Sequence, residues 1–178
     1  TFGEIFFARS SVRVGCFVAI EALKEIENPI NDLYFVFSVQ EEVGLRGAKT
    51  AAFSVNPEIG IALDVTAHGD TPKAKRFAVG LNKGAAIKVK DNSIITNPYI
   101  RDTLVKVAKE NDIAHQMEVL EFGGTDSGAI QLNKEGVPSG VISVPTRYVH
   151  SPVEMASKND IYNCKKLLVG FLDTEFRI

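Results

Sequence analysis

Two glutamates, Glu41 and Glu42, stand side by side in the stretch VQEEVGLRGA, directly after the apolar run LYFVFS. Adjacent carboxylates repel one another and are costly to desolvate. A solvated loop tolerates them. At the mouth of a hydrophobic sheet they point to a bound cation or to proton transfer. Three further polar features follow apolar stretches in the same manner: Asp64 after IGIAL, Thr125 and Asp126 after MEVLEFGG, and His150 after VISVP and TRYV. Taken singly, each has an ordinary structural reading, as a solvated loop, an Asx turn or a helix cap. Taken together, a Glu, an Asp and a His at one sheet edge suit zinc, cobalt or manganese. The second glutamate can then serve as general base towards a metal-activated water.

The elements that must position these groups alternate in type. Residues 13–27 have helical apolar spacing at Val14, Phe17, Val18, Ala22 and Ile26, with Asn28 and Pro29 as a stop. Residues 33–39 form a continuous apolar run, as expected of a strand covered on both faces. A short helix is expected over 46–53, and a second buried strand over 59–65 that runs into Asp64. Residues 68–76 are polar and irregular; 85–89 suit a short strand with a turn at 91–93; 98–111 suit a helix with Pro98 in its first turn. Then come a strand over 117–121, a helix from Thr125 or Asp126 to Lys134, a strand over 137–144, and an amphipathic helix capped by Asn159 and running to about Asp173. This alternation predicts an α/β fold: a mostly parallel sheet with helices on both faces, and ligands bound beyond the carboxyl ends of the strands.

Composition narrows the function classes. The chain has 178 residues, 45% apolar and 24% charged, enough for one domain with a real core. A net charge of −2 gives no basic footprint, which argues against nucleic acid as a partner. No apolar run is long enough to span a membrane. Cys16 and Cys164 lie far apart in apolar helical patterns, as buried free thiols of a reducing, cytoplasmic compartment would. The chain opens on Thr1, and its natural N-terminus is expected to lie upstream.

The motifs QEEVGLRGA, ALDVT followed by GDTP, EFGGTDSGAIQ and GVPSGVISVPTRYVHSPVE resemble, in that order, those of the TET-type metalloaminopeptidases. This is the glutamyl, leucyl and deblocking aminopeptidase family, some members of which carry an endoglucanase label. The resemblance runs from about Val14 to the C-terminus. It implies a three-layer α/β/α catalytic domain with a mostly parallel mixed sheet, two divalent metal ions (zinc or cobalt) sharing a bridging water, and peptide substrates cut at the N-terminus. Carried over residue by residue, it makes Glu41 the general base, Glu42 and His150 ligands of one metal, and Asp64 a ligand of the other. It places Thr125 and Asp126 near the substrate cleft. It also implies assembly into a tetrahedral homo-dodecamer, and a small β-rich domain inserted ahead of this segment. Residues 1–9 are then the segment returning from that insertion, and 10–178 the catalytic domain.

Two departures bear on the metal site. The family's first metal histidine belongs to an upstream portion, and its bridging aspartate falls where this chain has Ser11, in ARSSVRVGC. Serine cannot bridge two cations as a carboxylate does. Lost residues near positions 8–12 are the favoured explanation, with a break or disorder expected there and no complete two-metal site in the chain as given. A glycan hydrolase, the alternative suggested by the endoglucanase label, would need two carboxylates flanking a sugar cleft, usually with aromatic platforms, and the chain has no Trp. A non-catalytic homologue is the remaining alternative, should Ser11 be genuine.

Overall fold

Nine consecutive residues, Ile59–Ala67, form the central strand β3. Its odd positions Ile59, Ile61, Leu63 and Val65 join the main hydrophobic core, while Gly60, Ala62, Asp64 and Thr66 alternate with them. The computed structural model describes residues 4–9 and 13–176, with side chains from 13 onward. Ser11 and the residues flanking it, where a chain break was expected, lie outside the described residues.

The other elements are β1 (Glu4–Arg9), α1 (Arg13–Glu25), β2 (Asp32–Val36), α2 (Arg46–Val55), β4 (Ala85–Lys90), α3 (Pro98–Glu110), β5 (His115–Val119), α4 (Asp126–Ile130), β6 (Ser139–Arg147), β7 (Met155–Ala156) and α5 (Lys158–Leu172). The sheet order is β2-β1-β3-β6-β4-β5, with β7 attached to β6. Strands β2, β1, β3 and β6 are parallel; β4 meets β6 antiparallel and pairs parallel with β5. The result is the mixed, mostly parallel sheet that the family resemblance implies.

Helices α1, α3 and α5 cover one face and α2 and α4 the other. On the first face, Val18, Ala19 and Ala22 of α1 and Cys164, Leu167, Leu168 and Phe171 of α5 pack on the odd residues of β3. A Cβ added at Gly15 would stand 3.0 Å from the Leu63 carbonyl oxygen, so this glycine lets α1 sit directly on the strand. The second face has a smaller core of Ala48, Ala52, Ile130 and Val137. Cys16 and Cys164 are both free thiols; Cys164 is buried as expected, whereas Cys16 is only partly so. Among the described residues, no helix is long and apolar enough to cross a membrane.

Strand β7 was not expected and β6 lies a little later than 137–144, and three further elements differ from the sequence reading. The apolar run 33–39 is a strand only as far as Val36; it lies at the sheet edge, and Tyr34, Phe37 and Val39 are exposed. Helix α4 stops at Ile130 rather than Lys134, whose φ of 46° is left-handed. Helix α5 is capped by Ser157, whose hydroxyl accepts from the Asn159 amide, so Asn159 already lies inside the helix.

Candidate functional site

Glu41 and Glu42 occupy a loop between β2 and α2 that is closed by its own backbone. Gly47 N donates to Val39 O at 2.9 Å, Arg46 N to Gln40 O at 3.2 Å, and Leu45 N to Glu41 O at 2.9 Å. Gln40 and Leu45 both adopt left-handed backbone, at φ 60° and 56°. The Val-Gly-Leu-Arg-Gly sequence makes this possible: Gly44 takes φ 118°, and any Cβ at Gly47 would lie 2.4 Å from Val39 O.

Asp64 lies inside β3, opposite Ser143 of β6, rather than at the strand end where the sequence suggested a turn. It is buried, and one of its oxygens accepts from the Val65 amide at 2.7 Å. His150 follows β6 on a turn in which Tyr148 and His150 both have positive φ, 58° and 65°. Its backbone amide donates to Glu154 at 2.8 Å. Arg147 at the end of β6 holds Asp70 through two hydrogen bonds, one of 2.8 Å from Nε, and so ties the His150 turn to the loop after β3. Among the described residues, four of the nine non-glycine residues with positive φ thus flank or form this site, a clustering usual where backbone strain serves function.

Glu41, Glu42, Asp64 and His150 line one cleft of about 540 Å³, together with Leu45, Leu120, Phe122, Gly123, Gly124 and Val149. His150 Nδ1 is 3.6 Å from Glu42 Oε1, with both side chains open to solvent. Glu41 is half-buried. Burial, and then the neighbouring charges of Asp64, Glu42 and Asp126, push its pKa up to about 8. Among the described residues, no group of three or more His, Cys, Asp or Glu side chains is placed to hold a metal ion.

Thr125 and Asp126 are both buried beneath this cleft. Asp126 Oδ2 accepts from the Ser38 hydroxyl at 2.5 Å, and its Oδ1 has no hydrogen-bond partner among the described residues. Burial raises the Asp126 pKa to about 6, against the Ser38 hydrogen bond, which lowers it. Thr125 starts α4 without a side-chain cap; its hydroxyl lies 3.5 Å from Asp91, and its amide donates to Ser93 Oγ at 3.1 Å. The two glycines of GGTDSG that face Ser93 admit this contact, since a Cβ at Gly128 would stand 2.5 Å from the Ser93 side chain.

Sequence reasoning missed a buried ion cluster next to this turn. Lys88 Nζ sits 2.9 Å from Glu118 Oε1 and 3.1 Å from Asp91 Oδ2, all three side chains being buried. Burial pulls the Lys88 pKa down, but Glu118, Asp91 and Asp64 together outweigh it and leave it raised. A lysine in the short strand AAIKVK reads as a surface residue. Its partner Glu118 of HQMEV is set by the register of β4 on β5, which no local pattern in the sequence shows.

Comparison with known proteins gives a consistent picture. The family model for M42 glutamyl aminopeptidase matches residues 12–167. A curated sequence from Acetivibrio thermocellus is 57% identical over 157 residues, covering 88% of this chain and 48% of that protein. Aminopeptidase APDkam598 from the archaeon Desulfurococcus kamchatkensis superposes with a TM-score of 0.89 at 41% identity, covering 92% of this chain and 47% of that one. The TET1 peptidase of Pyrococcus horikoshii, described as assembling into a tetrahedron or a large octahedral shell, superposes with a TM-score of 0.79 at 34% identity, covering 90% and 47%. The chain spans about half the length of the relatives it matches.

Proposed function

The chain belongs to the M42 glutamyl aminopeptidase family, and from that premise we propose that its parent protein removes N-terminal residues from peptides in a metal-dependent hydrolysis. The observation that carries the proposal is the convergence of Glu41, Glu42, Asp64 and His150 on one cleft from three separate stretches of chain. On this reading residues 10–178 form the catalytic domain, and residues 1–9 return from an inserted domain into the sheet, where β1 lies between β2 and β3.

The donor set suits divalent cations. Carboxylates and an imidazole are ligands for zinc or cobalt, and burial, reinforced by the neighbouring carboxylates, raises the Glu41 pKa to about 8, a shift that cations in the cleft would oppose. Asp126 Oδ1, a buried carboxylate oxygen without a hydrogen-bond partner among the described residues, adds to the negative charge a cation would relieve. Glu42 and His150 would hold one cation and Asp64 the other, and the pair would supply Lewis-acid polarisation of the peptide carbonyl and acidify the attacking water. Glu41 accepts the proton from that water through a carboxylate oxygen and returns it to the amine released when the C–N bond breaks. Asp126 and Thr125 support the cleft from beneath: the first is bound to Ser38 next to the glutamate loop, and the second is tied to Ser93 and Asp91.

The same family membership supports self-assembly of the full protein into a closed shell. Large side chains left open on both helical layers, among them Phe17 and Leu23 of α1 and Phe53 of α2, are consistent with further burial. The deciding experiment is hydrolysis of aminoacyl-anilides by the full-length protein with added zinc or cobalt. Turnover abolished by a chelator and restored by metal supports the proposal. A protein that binds no metal, or hydrolyses no anilide when loaded, overturns it.

A further inference from the structure

The cleft that gathers the carboxylates also has an apolar wall, from Leu45, Leu120, Phe122 and Val149. Phe122 stands out in that wall because it remains 46% exposed while being held firmly in place. Its ring meets Phe77 edge-on, with centroids 5.6 Å apart and planes at 70°. Lys75 Nζ lies 5.3 Å from its centroid and is itself paired with Glu121. The backbone on either side is pinned to the chain around β4: Leu120 N donates to Lys90 O at 2.9 Å, and Asn92 N to Gly123 O at 3.1 Å. Gly123, at φ 78°, turns the chain immediately after the ring. A large aromatic ring fixed half in water at a cleft wall marks a surface that a ligand covers. Lys75 beside the ring is itself paired with Glu121, and Leu45, Leu120, Phe122 and Val149, which form the wall, carry no charge of their own.

We propose that Phe122 is the specificity-determining residue of the cleft: it receives the side chain of the substrate's first residue and favours a large apolar one, such as leucine. This rests on the aminopeptidase reading above. The carboxylates of the cleft attract the substrate's α-ammonium group, and the first side chain then lies along the apolar wall, displacing water from the exposed part of the ring. A charged first side chain laid along this apolar wall would lose hydration there.

The test uses the full-length, metal-loaded protein with leucyl-, alanyl-, glutamyl- and lysyl-anilides. Wild type is expected to prefer leucyl. Phe122→Ala should lower kcat/KM for leucyl-anilide by about 10–100-fold, mostly through KM, the scale of lost apolar contact in a specificity pocket. The alanyl rate should stay within about threefold, because a methyl group barely reaches the ring. Phe122→Leu should recover most of the leucyl activity. Equal losses on leucyl and alanyl substrates, with a lowered melting temperature, would mark a structural role and overturn the assignment; so would a wild-type preference for glutamyl or lysyl. Failure of the loaded protein to hydrolyse any anilide refutes the aminopeptidase reading itself, and this inference with it.

Discussion

The two faces of β3 are made from one run of sequence and do opposite things. Ile59, Ile61, Leu63 and Val65 enter a continuous core with α1 and α5 that excludes water and contains little but carbon. One residue out of step, Gly60, Ala62, Asp64 and Thr66 meet the α2 and α4 layer, where the apolar core shrinks to a few alanines with Ile130 and Val137 and a carboxylate cleft opens. The first face holds the sheet together. The second tolerates like charges, a buried carboxylate and left-handed loop residues, because the first supplies the stability that these features cost.

Substitutions should separate the two faces. The largest effect is expected at Glu41. Glu41→Gln should lower kcat of the full-length enzyme by about 10²–10⁴-fold, the scale of general-base loss, with metal content and melting temperature near wild type. Glu42→Gln should instead lose bound metal, measured by elemental analysis. Metal retention in that variant would mean the pair is assigned in the wrong order. On the opposite face, Phe171→Ala should cost about 3–5 kcal/mol of stability by denaturant titration, while the protein that remains folded keeps its kcat. A comparable loss of turnover per folded molecule would show that the faces are not independent.

Asp126 gives a smaller effect with a definite sign. Its folded pKa of about 6 lies above its ordinary value of 3.8, so the folded state binds the proton more tightly. Stability therefore falls as pH rises from about 4 to 6, and the full penalty is present above that window. In the presence of chelator, Asp126→Asn should gain stability relative to wild type progressively over this window, reaching about 2–3 kcal/mol at pH 7. An offset independent of pH would refute the assignment. The smallest effect is expected from Arg147→Lys, which loses the two-pronged hold on Asp70 and frees the His150 turn. Metal affinity by calorimetry should weaken by no more than about fivefold, the scale of an exposed ion pair.

Much of this division was visible in the sequence. The strand–helix alternation gave the layers, and the breaks after LYFVFS, IGIAL and VISVP marked Glu41, Glu42, Asp64 and His150, which the cleft does bring together. The direction of β4 and β5 was not visible. A polar stretch such as 68–84 can return the chain either way, so nothing local shows that β4 meets β6 antiparallel. The early end of β2 was hidden because Phe37 and Val39 read as strand although they lie exposed in the loop that carries the glutamates. Lys88 was hidden for the opposite reason: its charge suggested water, and only the pairing of β4 with β5 places it beside Glu118. Long-range register decides both cases, and single-sequence periodicity does not carry it.

The contact between Gly47 and Val39 has a consequence for how this protein tolerates change. Gly47 carries no functional group and lines no part of the cleft, yet even a methyl there would meet the Val39 backbone oxygen at 2.4 Å and its nitrogen at 2.5 Å. Backbone cannot step aside as a flexible side chain can, so alanine at this position would pry open the loop that sets the spacing of Glu41 and Glu42. In a complete mutational scan of the loop, Gly47 should be as intolerant as the glutamates themselves, and a library designed to alter substrate preference should leave it fixed while varying its exposed neighbours Val43 and Arg46.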